Sequence, residues 1–197
     1  MTISDTTLSD TRRDAILESA KTAFLAYGFS RTTMDDIARA TKLSRPALYL
    51  HFKNKTAIYR ALAERMLRDS VGIAEAELNG DGHFEQRLFR AIDCALLMHM
   101  AEIMQAPHGS ELLDVKNDLA ADLLGEWQMA MTSLFATFIE AEADRAGIDL
   151  DGKNLSAGDL AETLLDGLEG MKARIQDAAQ QASAARRLVR LIALAVS

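Results

Sequence analysis

Four side chains that can bind phosphates or base edges lie close together near the N-terminus. Arg45, Tyr49 and His51 fall within seven residues, and Lys55 follows four positions later. A guanidinium can donate two hydrogen bonds to guanine or hold a phosphate, and an ammonium adds a point charge. Hydroxyl and ring N–H groups suit phosphate oxygens, for which Thr33 is a further candidate. The cluster indicates contact with a polyanion, unless Tyr49 and His51 only pack against a neighbouring helix.

The distribution of charge favours the same chemistry. The formal net charge of −7 argues weakly against nucleic acid. However, residues 1–70 contain 12 Lys and Arg against 8 Asp and Glu, whereas residues 71–197 contain 10 against 21. Within residues 31–60 the count is 7 against 2. Positive charge concentrated in an acidic protein suggests a localised polyanion contact, although a chance cluster on a solvated face is the alternative.

Local signals predict the helices that would position these groups. A helical pattern begins at Thr11 and can end at Gly28. Thr33 forms a capping signature with the aspartate three residues later, Ser44 can cap the helix running to about residue 52, and Asn54 can cap a fourth helix. Two short helices joined by a three-residue turn after a preceding helix are typical of a helix-turn-helix. Its predicted small core consists of Phe24, Ile37, Ala38, Leu43, Leu48 and Phe52.

The rest of the chain also predicts helices. Residues 84–105 are apolar almost all round, which is typical of a helix buried in a bundle. A long helix containing Trp127 follows, and the last two helices are expected at about 156–176 and 183–196. We therefore predict an all-α protein of about nine helices. Its parts are a flexible tail (1–10), a three-helix DNA-binding head with the helix-turn-helix (11–55), and a helical ligand-binding and dimerisation domain (56–197).

Residues 12–59 resemble the TetR family of transcriptional regulators. The likeness rests on Phe24, Gly28, the run TTMDDIA at 32–38 and the run SRPALYLHFKNK at 44–55. The resemblance implies an all-helical homodimer that binds a double-stranded DNA operator with its head and a small-molecule inducer with its C-terminal domain. Members of the family usually repress until that ligand arrives. The matching positions at which the family often contacts DNA are Thr33, Ser44, Arg45, Ala47, Tyr49, His51 and Lys55.

Two residues depart from the family pattern. Lys42 occupies a turn position where the family often has glycine, and Pro46 stands where glycine or another small residue is common. Proline has no backbone N–H, so a phosphate contact through that group is lost. Both departures leave the fold prediction intact and make the individual base contacts less transferable.

The C-terminal half predicts a ligand pocket in general terms only. Methionine side chains adapt to irregular apolar shapes, so Met-containing helices suit an apolar or amphipathic ligand. The predicted ligand-binding residues are His99, Met100, Met104, Trp127, Met131 and Phe135. The same stripe could be ordinary core. His99 and Glu102 have helical spacing, but a metal site needs three or four converging ligands, so we expect no metal and no cofactor. The single cysteine, Cys94, excludes an internal disulfide and fits a reducing cytoplasm.

The last two predicted helices favour a homodimer. The final helix is apolar on more than one face, and the helix before it contains Gly158, Gly167 and Gly170. Each glycine costs up to about 1 kcal/mol in a helix interior, which close approach of a partner helix would explain. The predicted dimerisation residues are Leu164, Leu168, Met171, Leu188, Leu191 and Ile192. A two-fold dimer would present its two heads to the half-sites of a near-palindrome.

Together these features predict a cytoplasmic DNA-binding transcriptional regulator, in the simplest case a repressor released by its ligand. Helix 55–78 would be the lever that joins the ligand pocket to the head. No apolar run is long enough to span a membrane, and the polar N-terminus lacks a signal peptide pattern. We expect no enzymatic activity, because G-x-S-x-G, P-loop and H-E-x-x-H patterns are all missing. The remaining alternative is a helical adaptor that binds only protein.

Overall fold

The computed structural model describes the backbone of residues 3–197, and the side chains of that range other than 3–10 and 114–118. In this part of the chain there is no β-strand, and the helices number nine when the unbroken segment 84–105 is taken as one. The helices are α1 (Ile3–Tyr27), α2 (Met34–Ala40), α3 (Arg45–His51), α4 (Lys55–Leu78), α5 (84–105), α6 (Gly109–Leu119), α7 (Ala121–Ala146), α8 (Ala157–Arg174) and α9 (Ala178–Ala195). The all-α prediction and the expected number of helices are confirmed.

Two helices begin earlier than their sequence patterns predict. Helix α1 begins at Ile3, so residues 3–10 are helical rather than a tail, and the two residues before Ile3 lie outside the described range. Adding residues to an existing helix costs little, and no glycine or proline interrupts this segment. Helix α9 begins at Ala178 because the Asp177 side chain accepts a hydrogen bond from the Gln180 amide at 2.8 Å and caps it there.

The chain forms two compact units. The first contains the chain up to Leu67 together with Glu102–Leu124, and the second contains Arg68–Ala101 and Gly125–Ser197. The functional division at residues 10 and 55 remains a prediction. The first unit also takes in the start of α4 and the whole of α6, which that division assigned to the C-terminal domain.

The core of the first unit joins the helix-turn-helix to α1, α4 and α6. Five of the six predicted core residues are buried, and Leu43 packs against them half-buried. Leu112 of α6 and Ala120 belong to the same cluster, and the Tyr59 hydroxyl donates a hydrogen bond to the Leu112 carbonyl at 2.7 Å. Helix α6 is therefore part of the scaffold that holds the head.

The core of the second unit is built from the later helices of the chain. It contains one face of α5, with Leu88, Ile92 and Leu97 buried, together with the inward faces of α7, α8 and α9. The prediction that α5 is buried all round is wrong, because the end of this helix is largely exposed, with Met98 at 60% and Met104 at 45%. Phe84 stacks on Phe138 with ring centroids 5.1 Å apart, and the Trp127 indole N–H donates to the Ser70 hydroxyl at 2.8 Å. Among the described residues, the helices are all too short or too polar to cross a membrane.

Candidate nucleic-acid interface

The start of α2 is fixed by a reciprocal cap. The Thr33 hydroxyl accepts from the Asp36 amide at 3.2 Å, while the Asp36 carboxylate accepts from the Thr33 amide at 2.9 Å and from its hydroxyl at 2.6 Å. These hydrogen bonds from Thr33, with a further one from Arg39, lower the pKa of Asp36. The predicted capping signature is confirmed. The hydroxyl proton of Thr33 is already donated within the protein.

The turn between α2 and α3 explains why glycine would suit position 42. Lys42 has a φ of +57°, in the left-handed region that side chains with a Cβ rarely adopt. The turn is closed by hydrogen bonds from the Lys42 amide to the Arg39 carbonyl at 3.2 Å and from the Leu43 amide to the Ala38 carbonyl at 3.0 Å. The Lys42 side chain is exposed.

Helix α3 presents two of the predicted DNA-binding groups on its surface. Its N-cap is Ser44, whose hydroxyl accepts from the Ala47 amide at 3.3 Å, as predicted. Arg45 is exposed, with its Nε 3.2 Å from the Asp35 carboxylate and its guanidinium carbon 5.7 Å from the centre of the Tyr49 ring. Tyr49 is 42% exposed. Both side chains remain accessible to a ligand outside the protein.

The outermost side of α3 is apolar. Leu48 is fully buried and fixes the inward side of the helix, while Ala47 and His51 are half-buried. Pro46 is exposed, and Leu50 is 87% exposed. The sequence pattern places Leu50 away from the core side of the helix, but Leu50 is not among the predicted DNA-binding residues. The signal that could have found it is its position two residues from the buried Leu48, on the opposite side of the helix.

Lys55 has a structural role in addition to any contact with phosphate. Its ammonium donates to the carbonyls of Phe29 at 2.6 Å and Ser30 at 3.1 Å, and lies 4.5 Å from the centre of the Phe29 ring. Burial lowers the pKa of Lys55, while the negative charge of Glu111 opposes that shift. Lys53, two residues earlier, is exposed and offers a second cation near the start of α4.

The connector between α1 and α2 (residues 28–33) is tied to the start of α6. The Ser30 amide donates to the Glu111 carboxylate at 2.9 Å across 81 residues of sequence, and this bond is the main cause of the lowered pKa of Glu111. His108 lies 3.4 Å from Glu111 and 2.9 Å from the Arg31 guanidinium. Gly28 has a φ of +85°, and a Cβ there would overlap the Glu111 carboxylate. No periodicity or motif in the sequence signals a contact of this range.

The predicted ligand-binding residues do not form one cluster. Met131 and Phe135 are fully buried along α7 in the core of the second unit, and the donor of Trp127 is taken by Ser70. Met104 is 45% exposed and belongs to the first unit. Their role as a pocket stays a prediction.

The two other predicted pocket residues, His99 and Met100, follow an irregularity in α5. Residues Asp93–Leu97 form a π-helical turn, a feature common near functional sites. His99 is exposed and its Nδ1 lies 2.9 Å from the Cys94 carbonyl, whereas Met100 is half-buried. Burial raises the pKa of the Cys94 thiol, as do two nearby carboxylates. Among the described residues there is no cluster of His, Cys, Asp or Glu that could hold a metal ion.

Four of the predicted dimerisation residues are already buried in the core of the second unit: Leu164, Leu168, Met171 and Ile192. They therefore offer no surface to a partner in this structure. Leu191 and its neighbour Leu194 are 63% and 65% exposed. The expected reason for Gly167 needs correction, because a Cβ at this position would lie 3.0 Å from the side chain of Leu188 in the same chain. Gly170 has open space around it, as partner approach would require.

Comparison with known proteins identifies the family of the helix-turn-helix segment. Residues 16–62 match the family described as bacterial regulatory proteins, tetR family. The biofilm operon negative transcriptional regulator IcaR of Staphylococcus epidermidis is 38% identical over 52 residues, which cover 26% of this chain and 28% of IcaR. The matches to the first curated relatives thus span only about a quarter to a third of their length.

Solved structures extend the likeness of the fold to nearly the whole chain. The fatty acid degradation regulator FadR from Bacillus halodurans superposes with a TM-score of 0.68 at 15% identity, covering 90% of this chain and 94% of FadR. The SmeT–triclosan complex gives a TM-score of 0.60 at 16% identity and covers 92% and 91% of the two chains. Members of the matched family are DNA-binding regulators and not enzymes. Residues 16–62 thus belong to the tetR family of bacterial regulatory proteins, and the all-helical fold of the chain is like that of the solved regulators.

Proposed function

We propose that the protein is a cytoplasmic DNA-binding transcriptional regulator that acts as a homodimer on a near-palindromic operator. In the simplest form it represses until a small apolar or amphipathic ligand releases it. The observation that carries this proposal is the exposed helix α3, capped by Ser44, which presents Arg45 and Tyr49 from a segment that matches the family. An α-helix fits the major groove, and residues in its first turns reach base edges there.

The predicted DNA-binding residues divide into two groups by their surroundings. Arg45 and Tyr49 are exposed, and the Ser44 hydroxyl accepts from Ala47 while keeping its proton for a phosphate. Thr33 already donates its hydroxyl proton, and Lys55 two of its three ammonium protons, within the protein. We assign the first group to direct contact. The second group, with the half-buried Ala47 and His51, would act at the margin of the interface or position the helices.

Opposite charges on α8 and α9 support the homodimer. The exposed side of α8 carries Glu162, Asp166 and Glu169, and the exposed side of α9 carries Arg187 and Arg190 beside two leucines. In a two-fold interface each contact occurs twice, so the acidic row of one protomer can meet the basic row of its partner. Such pairing would cover Leu191 and Leu194, which are otherwise exposed apolar side chains.

We propose that the ligand binds within the second unit and acts by a population shift. The ligand would bind more tightly to a form of the dimer in which the spacing of the two heads does not match the operator. DNA affinity then falls by the difference between the binding free energies of the ligand for the two forms. Helix α4 is the predicted lever, and the Glu111 contact with the connector adds α6 as a second element fixed to the head. Ligand binding to SmeT, shown by its triclosan complex, supports a comparable role here.

Selection of bound duplexes from a random pool tests the DNA-binding function. We expect enrichment of an inverted repeat, and affinity that falls steeply with ionic strength because phosphate contacts release counterions. Arg45→Ala should weaken binding of the selected duplex tenfold or more, the order of a lost bidentate contact. Arg145→Ala is the matched control, since this arginine is also exposed and paired with a carboxylate, but lies in the second unit. If no duplex is enriched, or if both variants bind the duplex equally well, the alternative of a helical adaptor that binds only protein would be favoured.

Sedimentation equilibrium tests the homodimer separately. Leu191→Glu should shift the protein towards monomer, because a carboxylate would be buried at the interface. Met129→Glu is the control, since Met129 is 68% exposed and also lies in the second unit. Equal effects of the two substitutions on association would contradict the proposed surface.

A further inference from the structure

We propose that Leu50 selects thymine at one position of each operator half-site by contacting the 5-methyl group in the major groove. The inference rests on the proposed DNA-binding function. It adds a specificity-determining residue outside the set predicted from the sequence.

The position of Leu50 on α3 is set by the buried Leu48. Successive residues of an α-helix are rotated by about 100°, so residues two before and two after a buried one lie about 160° from it on either side. These residues are Pro46 and Leu50, and both are exposed. Leu50 is 87% exposed, the largest value among the exposed large apolar side chains described. The side of α3 that would enter the groove deepest is therefore a ridge of these two residues.

The chemistry of the ridge limits which base it can recognise. A leucine side chain has no hydrogen-bonding atom, and Pro46 lacks even its backbone N–H. The ridge cannot pair with the donors and acceptors that distinguish guanine, cytosine and adenine in the major groove. The thymine 5-methyl is the apolar group presented there. Arg45 and Tyr49 lie together on one flank of the ridge, about 60° and 100° of helix rotation from Leu48, where they can donate to phosphates or to a base edge beside the thymine.

A single exposed leucine is common on protein surfaces and by itself needs no function. The proposal therefore depends on a readout that only a methyl contact would change. Deoxyuridine differs from thymidine by that methyl alone and keeps the same hydrogen-bonding edge. Replacing thymines one at a time in the duplex selected from the random pool isolates the contact.

When deoxyuridine replaces the contacted thymidine in one half-site, we expect the affinity of wild-type protein to fall about fourfold, which is the effect of burying one CH2-sized group. Replacement in both half-sites should lower the affinity about fifteenfold. Leu50→Ala should bind the thymine and deoxyuridine duplexes equally. Tyr49→Phe, the control on the same helix, should keep the full sensitivity. Leu50→Gln should shift the preferred base at that position towards adenine, which glutamine can bind in a bidentate manner.

Two results would overturn the proposal. One is wild-type affinity that is unchanged by deoxyuridine at every thymine, and the other is Leu50→Ala that keeps the wild-type pattern of losses. Thermal unfolding of Leu50→Ala should match that of wild type, because the side chain is exposed, so the binding comparison is not confounded by stability. A wild-type protein that enriches no duplex from the pool would instead refute the proposed function itself, and this inference with it.

Discussion

Replacing Lys42 by glycine should stabilise the protein even though it removes a side chain. Lys42 holds a φ of +57° in the turn of the helix-turn-helix. For a residue with a Cβ this conformation costs about 1–2 kcal/mol, whereas glycine adopts it freely. Glycine also gives the unfolded chain about 0.5–1 kcal/mol of extra conformational entropy to lose. The net gain in the free energy of unfolding is therefore about 0.5–1 kcal/mol.

The matched control is Lys42→Ala, which removes the same charge and the same flexible stem but keeps the Cβ. Urea denaturation should place Lys42→Gly about 0.5–1 kcal/mol above Lys42→Ala, with equal slopes for the two transitions. For a chain of 197 residues this corresponds to about 2 °C in melting temperature. If Lys42→Gly is no more stable than Lys42→Ala, the left-handed turn is not the source of strain and the reasoning fails. Both variants lose one charge, so a difference in DNA affinity between them would report on turn geometry.

Three further predictions concern the scaffold. Tyr59→Phe should lower the free energy of unfolding by about 1 kcal/mol through loss of a buried hydrogen bond to α6, whereas the exposed Tyr49→Phe should leave stability unchanged in urea. In the monomeric background of Leu191→Glu, Gly170→Ala should stabilise α8 by up to about 1 kcal/mol because a Cβ there meets open space within the chain. Gly167→Ala should gain less because its Cβ would crowd Leu188 of α9, and equal gains would contradict the close packing. A hydrogen bond from Arg60 of α4 lowers the pKa of Asp122 to about 2. The contribution of this pair to stability is therefore present above pH 4 and is lost as the pH falls towards 2. Asp122→Asn should make the free energy of unfolding depend less on pH between 4 and 2. An unchanged acid transition would count against this role of Asp122.

The head could be predicted closely because its signals are local. Capping residues three positions apart, a proline in the first turn and a short apolar pattern define α2, the turn and α3, and the structure confirms them. Helix starts without such a cap signal are predicted less accurately, as at α1. The left-handed conformation of Lys42 agrees with the glycine that the family often has at this turn position.

The candidate site was only partly predictable because sequence pattern does not report exposure or long-range contact. The sequence predicted that Leu48 is core, but it did not show how far Leu50 is exposed or that the ammonium of Lys55 is held by two backbone carbonyls. The apolar residues of α8 predicted an interface, but most of them fill the core of their own unit. An apolar stripe shows that a helix face is buried and does not show by what it is buried.

The contact of Glu111 with the connector has a consequence for modular exchange of parts. A DNA-binding segment such as residues 11–55, here called the cassette, could be grafted from one regulator onto another. In this protein some of the contacts that stabilise the cassette come from outside it, because α6 supplies Leu112 to the core and Glu111 as the acceptor for the backbone amide of Ser30. A chimera that exchanges only the cassette would set a foreign connector against this α6, where any side chain at position 28 would collide with the carboxylate. The exchangeable piece is discontinuous, and grafts should carry α6 with the head.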